Sequence, residues 1–150
     1  MGMNISIRTA QEADLPAVLA MSDALIAESC CNGLVPDDLE YLRRYRIQLA
    51  EADGQIIGYA YGEKTVSSRN IGDCRKGDSF YDLEMIYVKP EFRNAGAGRL
   101  LFAAQQDYAR ELGLATMSLT AVSKEWKRLL HFYIDELGMD FFWATLSMNL

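Results

Sequence analysis

Leu83-Glu84-Met85-Ile86-Tyr87-Val88-Lys89-Pro90-Glu91-Phe92-Arg93-Asn94-Ala95-Gly96-Ala97-Gly98-Arg99-Leu100-Leu101 is the stretch on which the reading of this chain turns. Its first half continues an apolar run from Phe80 and reads as a strand, which Pro90 ends because proline has no N–H to give to a ladder. Its second half opens a helix from about Gly98 to Leu112, stopped by Gly113. Between them lies Arg93-x-x-Gly96-x-Gly98. Residues without Cβ atoms let a backbone turn several N–H groups into one concavity. The helix that follows adds the positive end of its dipole, and the combination suits phosphate or pyrophosphate. A Walker loop would need Gly-Lys-Ser/Thr at its end, and Arg99-Leu100 follows Gly98 here. A dinucleotide fingerprint would begin with glycine at the strand end, and here Pro90 and Arg93 intervene.

Working outward, Asn4 to Arg8 alternates as a short strand with Ile5 and Ile7 on one face. Thr9-Ala10-Gln11-Glu12 and Asp14 before Pro16 are helix-start signals. One helix is expected through about Met21 and a further helical stretch over Ser22 to Cys31, with Asn32-Gly33 as the stop. Pro36-Asp37-Asp38 begins another short helix. Tyr45 to Ala52 and Gln55 to Glu63 read as strands, and Asp53-Gly54 between them is a strong hairpin signal. Thr65 to Asp78 reads as a long polar loop. Strict alternation along Phe80 to Val88 puts Phe80, Asp82, Glu84, Ile86 and Val88 on one face and Tyr81, Leu83, Met85 and Tyr87 on the other. Ala115 to Ala121 alternates as a strand, Ser123 caps a helix to about Leu137, and Phe141 to Leu150 alternates as a last strand. The strand–helix–strand unit from Phe80 to Ala121 implies a right-handed parallel crossover. The class is α/β with a mixed sheet.

The 150 residues make one domain, 1–150, with no repeat or low-complexity stretch. Half of the chain is hydrophobic and 24% is charged, enough apolar material for a core and too much for disorder. No apolar run approaches the roughly 20 residues of a membrane helix, and Met1-Gly2-Met3-Asn4 lacks the character of a secretory leader. A net charge of −6 argues against nucleic acid as a partner. Cys30, Cys31 and Cys74 form no disulfide framework, which points to a reducing, cytoplasmic setting. With His131 the only histidine, no metal site is expected.

Val88-x-Pro90-x-x-Arg93-x-x-Gly96-x-Gly98 resembles the hallmark of the GNAT superfamily of N-acetyltransferases, V-x-P-x-x-R-x-x-G-x-G/A. The resemblance extends over nearly the whole chain. Ile7-Arg8-x-Ala10-x-x-x-Asp14-Leu15-Pro16 is similar to the family's first strand and helix, and Phe132-Tyr133 through Leu137-Gly138-Met139 to its last helix. The resemblance implies a mostly antiparallel, twisted sheet of about six to seven strands flanked by helices, with a central, splayed parallel pair. It implies acetyl-coenzyme A as co-substrate, its pyrophosphate on the backbone of Asn94, Ala95, Gly96, Ala97, Gly98 and Arg99, with Arg93 bracing that loop or touching phosphate. The pantetheine arm is expected along Ile86, Tyr87 and Val88, pairing like an extra strand. Many relatives carry an Asn near the start of the last helix, which Ser123-Lys124-Glu125-Trp126 lacks.

Acetyl transfer to an amine needs the amine neutral, although its free pKa is about 10. A base must take the proton, and a backbone N–H, at about Ile86 or Tyr87, must meet the oxyanion. The resemblance implies Glu84 as that base, with Asp82 the same-face alternative, and Tyr133 as the acid that protonates the departing sulfur. Taken alone, Glu84 and Asp82 are equally solvated carboxylates or a cation site, and Tyr133 a core aromatic beside Phe132. Cys30 and Cys31 have no basic neighbour in sequence to make them nucleophiles, which favours direct transfer. The expected acceptor is a primary amine of a small molecule or peptide, with the acidic pair tilting towards a cationic one. The alternative function is a non-catalytic acetyl-CoA or acyl-CoA sensor or partner subunit. The apolar end, Phe141 to Leu150, is either a homodimer contact or ordinary core.

Overall fold

The computed structural model describes residues 2–31 and 33–150. Its strands are β1 (Ile5–Thr9), β2 (Gln48–Ala52), β3 (Gln55–Val66), β4 (Ser79–Val88) and β5 (Met117–Ser118). Its helices are α1 (Leu15–Ala27), α2 (Leu39–Leu42), α3 (Ala97–Glu111) and α4 (Trp126–Leu130), the last running on into a π-helical turn at His131–Glu136. The sheet order is β1-β2-β3-β4-β5, antiparallel except for the parallel β4–β5 pair.

Local chemistry accounts for several of these boundaries. Asp14 accepts from the Gln11 N–H at 2.7 Å and from Arg8 at 2.7 and 2.9 Å, which fastens the start of α1 to β1. Those bonds hold its carboxyl down at about 2. Asp38 caps α2 by accepting from the Tyr41 N–H at 2.8 Å. Asp53 and Gly54 both take positive φ, 51° and 75°, the pairing that a two-residue hairpin turn requires. The two helical stretches expected over residues up to Cys31 are one helix, α1, ending at Ala27. Asn32, half of the expected stop signal, lies outside the described residues.

α1 and α2 cover one face of the sheet. There Leu15, Val18, Met21, Leu25 and Leu42 pack with Leu49, Tyr59, Tyr61 and Tyr87. α3 covers the other face, where Leu101 packs with Ala50, Ile57 and Ala60, and Phe102 with Tyr81, Leu83 and Tyr133. Strict alternation along β4 is therefore not what the structure has. Tyr81 and Leu83 face α3, and so do Ile86 and Val88, while Met85 and Tyr87 face α1. The register explains the switch: Tyr61 pairs with Met85 but Gly62 pairs with Leu83, so Glu84 is the extra residue of a β-bulge.

The parallel pairing is short. Tyr81 sits opposite Met117 and Asp82 opposite Ser118, and beyond that point β4 and β5 part. The strand expected over Ala115–Ala121 is thus confined to Met117–Ser118, because past Ser118 it has no ladder partner. The strand expected over Phe141–Leu150 does not form, and the sheet has five strands rather than six to seven. Alternation there says which side chains share a face, but no neighbouring strand supplies the hydrogen bonds. Leu146 and Met148 are 93% and 81% exposed. β3, by contrast, outruns its expected end at Glu63 and reaches Val66. The connection to β4 is tied by Ser67 N–H to Asp78 O at 2.9 Å and by the Ile71–Cys74 bridge.

The bulge needs Gly62. A Cβ there would run into the Asp82 carbonyl oxygen and lie 2.7 Å from the Tyr81 ring. Gly62→Ala is expected to cost about 1–3 kcal/mol, in the range of an overpacked core. Urea denaturation checks this, and a variant as stable as wild type would show that the bulge tolerates a side chain.

Candidate active site

Where β4 and β5 part, a cleft of about 760 Å³ opens. One end lies at the loop between β4 and α3. Asn94 and Gly96 there have positive φ, 63° and 95°, on either side of Ala95. This alternation curls successive N–H groups into a nest. Gly96 is also the N-cap of α3, and the first N–H groups of a helix have no partner within it. Nest and helix end together form a cradle for an anion. Asn94, Gly96, Ala97, Gly98 and Arg99 all line the cleft. Of the residues from Asn94 to Arg99 expected to hold a pyrophosphate, all but Ala95 line the cleft.

β4 forms the floor. Lys89 donates to Ile57 O at 2.9 Å, so alternation within the ladder turns the N–H and C=O of Ile86 and Val88 away from β3, towards the open edge. The backbone of Tyr87 points into the β3 ladder instead. Val88 O is already taken by Arg93 Nε at 2.8 Å. The backbone polar groups offered to an extended ligand are therefore those of Ile86 and the N–H of Val88, a narrower set than Ile86 to Val88.

Glu84 and Tyr133 line the same cleft from β4 and from the π-helical turn. Asp82 lies off the cleft wall, half-buried beside Glu63. Glu84 and Met85 also line a smaller side cavity of about 360 Å³, with Asp37, Tyr41 and Tyr61. Tyr61 OH donates to the Asp37 carboxylate at 3.2 Å. Among the described residues, no group of three or more His, Cys, Asp or Glu side chains could hold a metal ion. No helix of the described residues is long and apolar enough to cross a membrane.

A model of the acetyltransferase (GNAT) family matches residues 21–139. The chain belongs to that family. Acetyl-coenzyme A is the family's co-substrate. The chain is similar in fold to an aminoglycoside N-acetyltransferase, AAC(6')-Iy, solved in complex with CoA: TM-score 0.74, 20% identity, 100% of this chain and 97% of the other covered. Another neighbour is the aminoglycoside 6'-N-acetyltransferase AAC(6')-Ih of Acinetobacter baumannii, with TM-score 0.73, 18% identity and 98% of each chain covered. A third, from Clostridium acetobutylicum, is a predicted acetyltransferase solved with acetyl-CoA, at TM-score 0.71 and 16% identity, covering 97% of this chain and 96% of the other.

The charges of this GNAT site are arranged by burial and crowding. Burial, then the negative charges of Asp82 and Glu63, push the Glu84 carboxyl above its ordinary value. Burial and Glu63 do the same to Asp82. Burial raises Asp37 too, against the bond from Tyr61. The Glu84 side chain still opens into the cleft, with protein atoms crowding it on the strand side. Burial alone pushes the Tyr133 phenol up to about 12, so it carries its proton at neutral pH. Its ring packs against Phe102 and Phe132 at 6.1 and 5.1 Å. The core position and the place on the cleft wall belong to one and the same residue.

Other cleft residues gave no sign of themselves in the sequence. Cys31 and Ser123 form an antiparallel bridge, and Lys124 N–H donates to Cys30 O at 2.7 Å. This strap ties the chain after α1 to the chain after β5. Lys124 Nζ is held by Ser29 O at 2.9 Å, and Ser123 Oγ accepts from Glu125 N–H at 3.0 Å. Ser123 and Lys124 are thus engaged in the strap. Arg99 donates to the Glu136 carboxylate at 3.1 Å, and both residues line the cleft. Glu28 meets the cleft, and Asp37 its side cavity, only through contacts between residues far apart in the chain.

Glu84 ionises at a higher pH in the fold than in the unfolded chain, where its ordinary value is 4.5. The fold is therefore penalised for its charge fully above the raised value and not at all below the ordinary one. Glu84→Gln should raise the melting temperature at pH 8, and the gain should fade as pH drops below about 4. Thermal melts across that range check this, and a gain that grows towards acid would contradict the crowding described above.

Proposed function

We propose that the chain transfers the acetyl group of acetyl-CoA directly to a primary amine of a cationic small molecule. The observation that carries this reading is one cleft joining the glycine loop to Glu84 and Tyr133. The amides of Asn94 to Arg99 would take the pyrophosphate, and the open edge at Ile86 and Val88 the pantetheine arm. Glu84, directly or through water, removes the amine proton as the nitrogen lone pair attacks the thioester carbon. The Ile86 N–H, on the open edge, is the amide positioned to meet the oxyanion. Tyr133 gives its proton to the sulfur as the carbon–sulfur bond breaks. Amide and thiol result, and both side chains regain their starting states by exchange with water. Asp82, behind Glu84, acts by keeping the Glu84 carboxyl basic.

Direct transfer is favoured by the thiols in the cleft. Burial and the contact with Cys30 push the Cys31 thiol up to about 11, which leaves little thiolate for an acetyl-enzyme. A cationic acceptor is favoured by the acidic end. Asp37, Asp82, Glu84 and Glu63 crowd together with Arg44, 4.0 Å from Glu63, as their near counter-charge. Two of the similar folds are aminoglycoside N-acetyltransferases, and an aminoglycoside or polyamine has the charge such a wall would bind. Cys30, Cys31 and Cys74 are all free thiols, in keeping with a reducing cytoplasm.

We also infer a homodimer through residues 141–150. Their large side chains, Phe141, Phe142, Trp143, Leu146, Met148 and Leu150, are each more than half exposed, and exposed apolar side chains gathered in one segment mark an interaction surface. Light scattering of the full chain should give twice the chain mass, and a chain ending at Asp140 should run as a monomer. A monomeric full chain would contradict this.

Thiol release from acetyl-CoA, measured with an aminoglycoside, a polyamine, a lysine peptide and a neutral aromatic amine, tests the reaction. The cationic amines should turn over. Glu84→Gln should then lower kcat/KM by about a hundredfold or more, and Tyr133→Phe by about tenfold or more. Binding of acetyl-CoA without turnover of any amine would favour the non-catalytic sensor instead.

A further inference from the structure

Arg93 leads the glycine loop, and a cation in that place is naturally read as a phosphate ligand. The geometry gives it other work. Its Nη2 donates to Glu28 Oε1 and Oε2 at 2.7 and 2.8 Å, its Nε donates to Val88 O at 2.8 Å, and its guanidinium lies 5.6 Å from the centre of the Tyr87 ring. Tyr87 OH donates to the same Glu28 carboxylate at 2.9 Å. The ion pair is sheltered, with side chains 27% and 22% exposed. Glu28 is the C-cap of α1, two residues before the strap at Cys30 and Cys31. A carboxylate at a helix C-terminus faces the negative end of the dipole, so local helix stability does not account for it. Arg93 and Tyr87 do.

From this we propose that Glu28 is a positioning residue for acetyl-CoA: it neutralises Arg93 and pins it, and so fixes the end of β4, the start of the glycine loop and the end of α1 relative to one another. The inference rests on the acetyl-CoA reading above. A guanidinium already matched by a carboxylate has little charge left for a pyrophosphate, which falls to the amides of the nest and the α3 terminus. The fixed end of β4 keeps the Ile86 N–H and C=O aligned with that nest.

The two roles for Arg93 predict opposite signs. If Arg93 were a phosphate ligand held in reserve, Glu28→Gln would free its charge and tighten acetyl-CoA, and Arg93→Lys would keep most of the affinity. A pinned, forked contact has neither property, since lysine lacks the planar fork. Calorimetric titration of acetyl-CoA into Glu28→Gln, Arg93→Lys and the double variant is the test, with Tyr87→Phe as the mildest change. The expected result is an affinity about tenfold weaker for each of the first two, and a double variant no worse than the weaker single, as coupled partners behave. In steady state the KM for acetyl-CoA should rise while the KM for the amine stays. Unchanged or tighter binding by Glu28→Gln, or full retention by Arg93→Lys, would overturn the proposal. Should Glu28→Gln fail to fold, Arg93→Lys and Tyr87→Phe carry the test alone. Wild type that binds no acetyl-CoA would instead sink the reading on which the inference rests.

Discussion

β4 carries one residue more than β3 can pair, at Glu84, between Leu83 opposite Gly62 and Met85 opposite Tyr61. A strand with an inserted residue changes which side chains face which layer, and its twist increases. Here the insertion lets Tyr81 and Leu83 pack under α3 and yet lets Ile86 and Val88 do so as well. It does the same for the backbone. Tyr81 N–H points to β5 and is bonded to Thr116 O at 2.9 Å, while past the bulge Ile86 and Val88 point to an edge that β5 has left. A regular β4 would have turned those groups into the β3 ladder. Which backbone groups face the open edge, and the place of Glu84 beside it, follow from the same extra residue.

The cleft so formed is electrically polar. One end presents backbone amides and a helix N-terminus; the other presents Glu84, with Asp37 in the adjoining side cavity and Asp82 and Glu63 close by. On the proposed reading, an anionic pyrophosphate and a cationic amine would be sorted to opposite ends. The acidic end costs the fold stability, since its carboxyls are raised by burial and by one another, and a bound cation would offset that cost. Arg93 stands at the amide end, where its pairing with Glu28 balances its charge.

Much of this was legible in the sequence because the signals were local. Pro90, Gly96 and Gly98 mark a strand end, a left-handed turn and a helix start within a few residues, and Asp53-Gly54 marks its hairpin equally well. Glu84 and Tyr133 were singled out only through the resemblance of their surroundings to the family, and the structure has both among the residues lining one cleft. What failed was long-range. Alternation along Phe80 to Val88 gives no hint of a bulge, which depends on the partner strand and on Gly62. The alternation of Phe141 to Leu150 specifies a face but not a neighbour, so it predicted a strand that the single chain does not form. Glu28, Asp37 and the strap from Cys30–Cys31 to Ser123–Lys124 depend on contacts across 24 to 95 residues of chain, and no window of sequence contains them.

The central claim is that the turn from Arg93 to Arg99 holds the pyrophosphate of acetyl-CoA, and a thermal-shift titration tests it most directly. Acetyl-CoA, coenzyme A and ATP would be titrated into wild type and into Gly96→Glu, which puts a side chain and a negative charge at a φ of 95°. Ligand that binds only the folded state must raise the melting temperature. The account predicts a shift with acetyl-CoA and coenzyme A, none with ATP, and loss of the shift in Gly96→Glu. No shift at millimolar acetyl-CoA, in a protein shown to be folded, would mean that the glycine loop is a structural turn and would contradict the account.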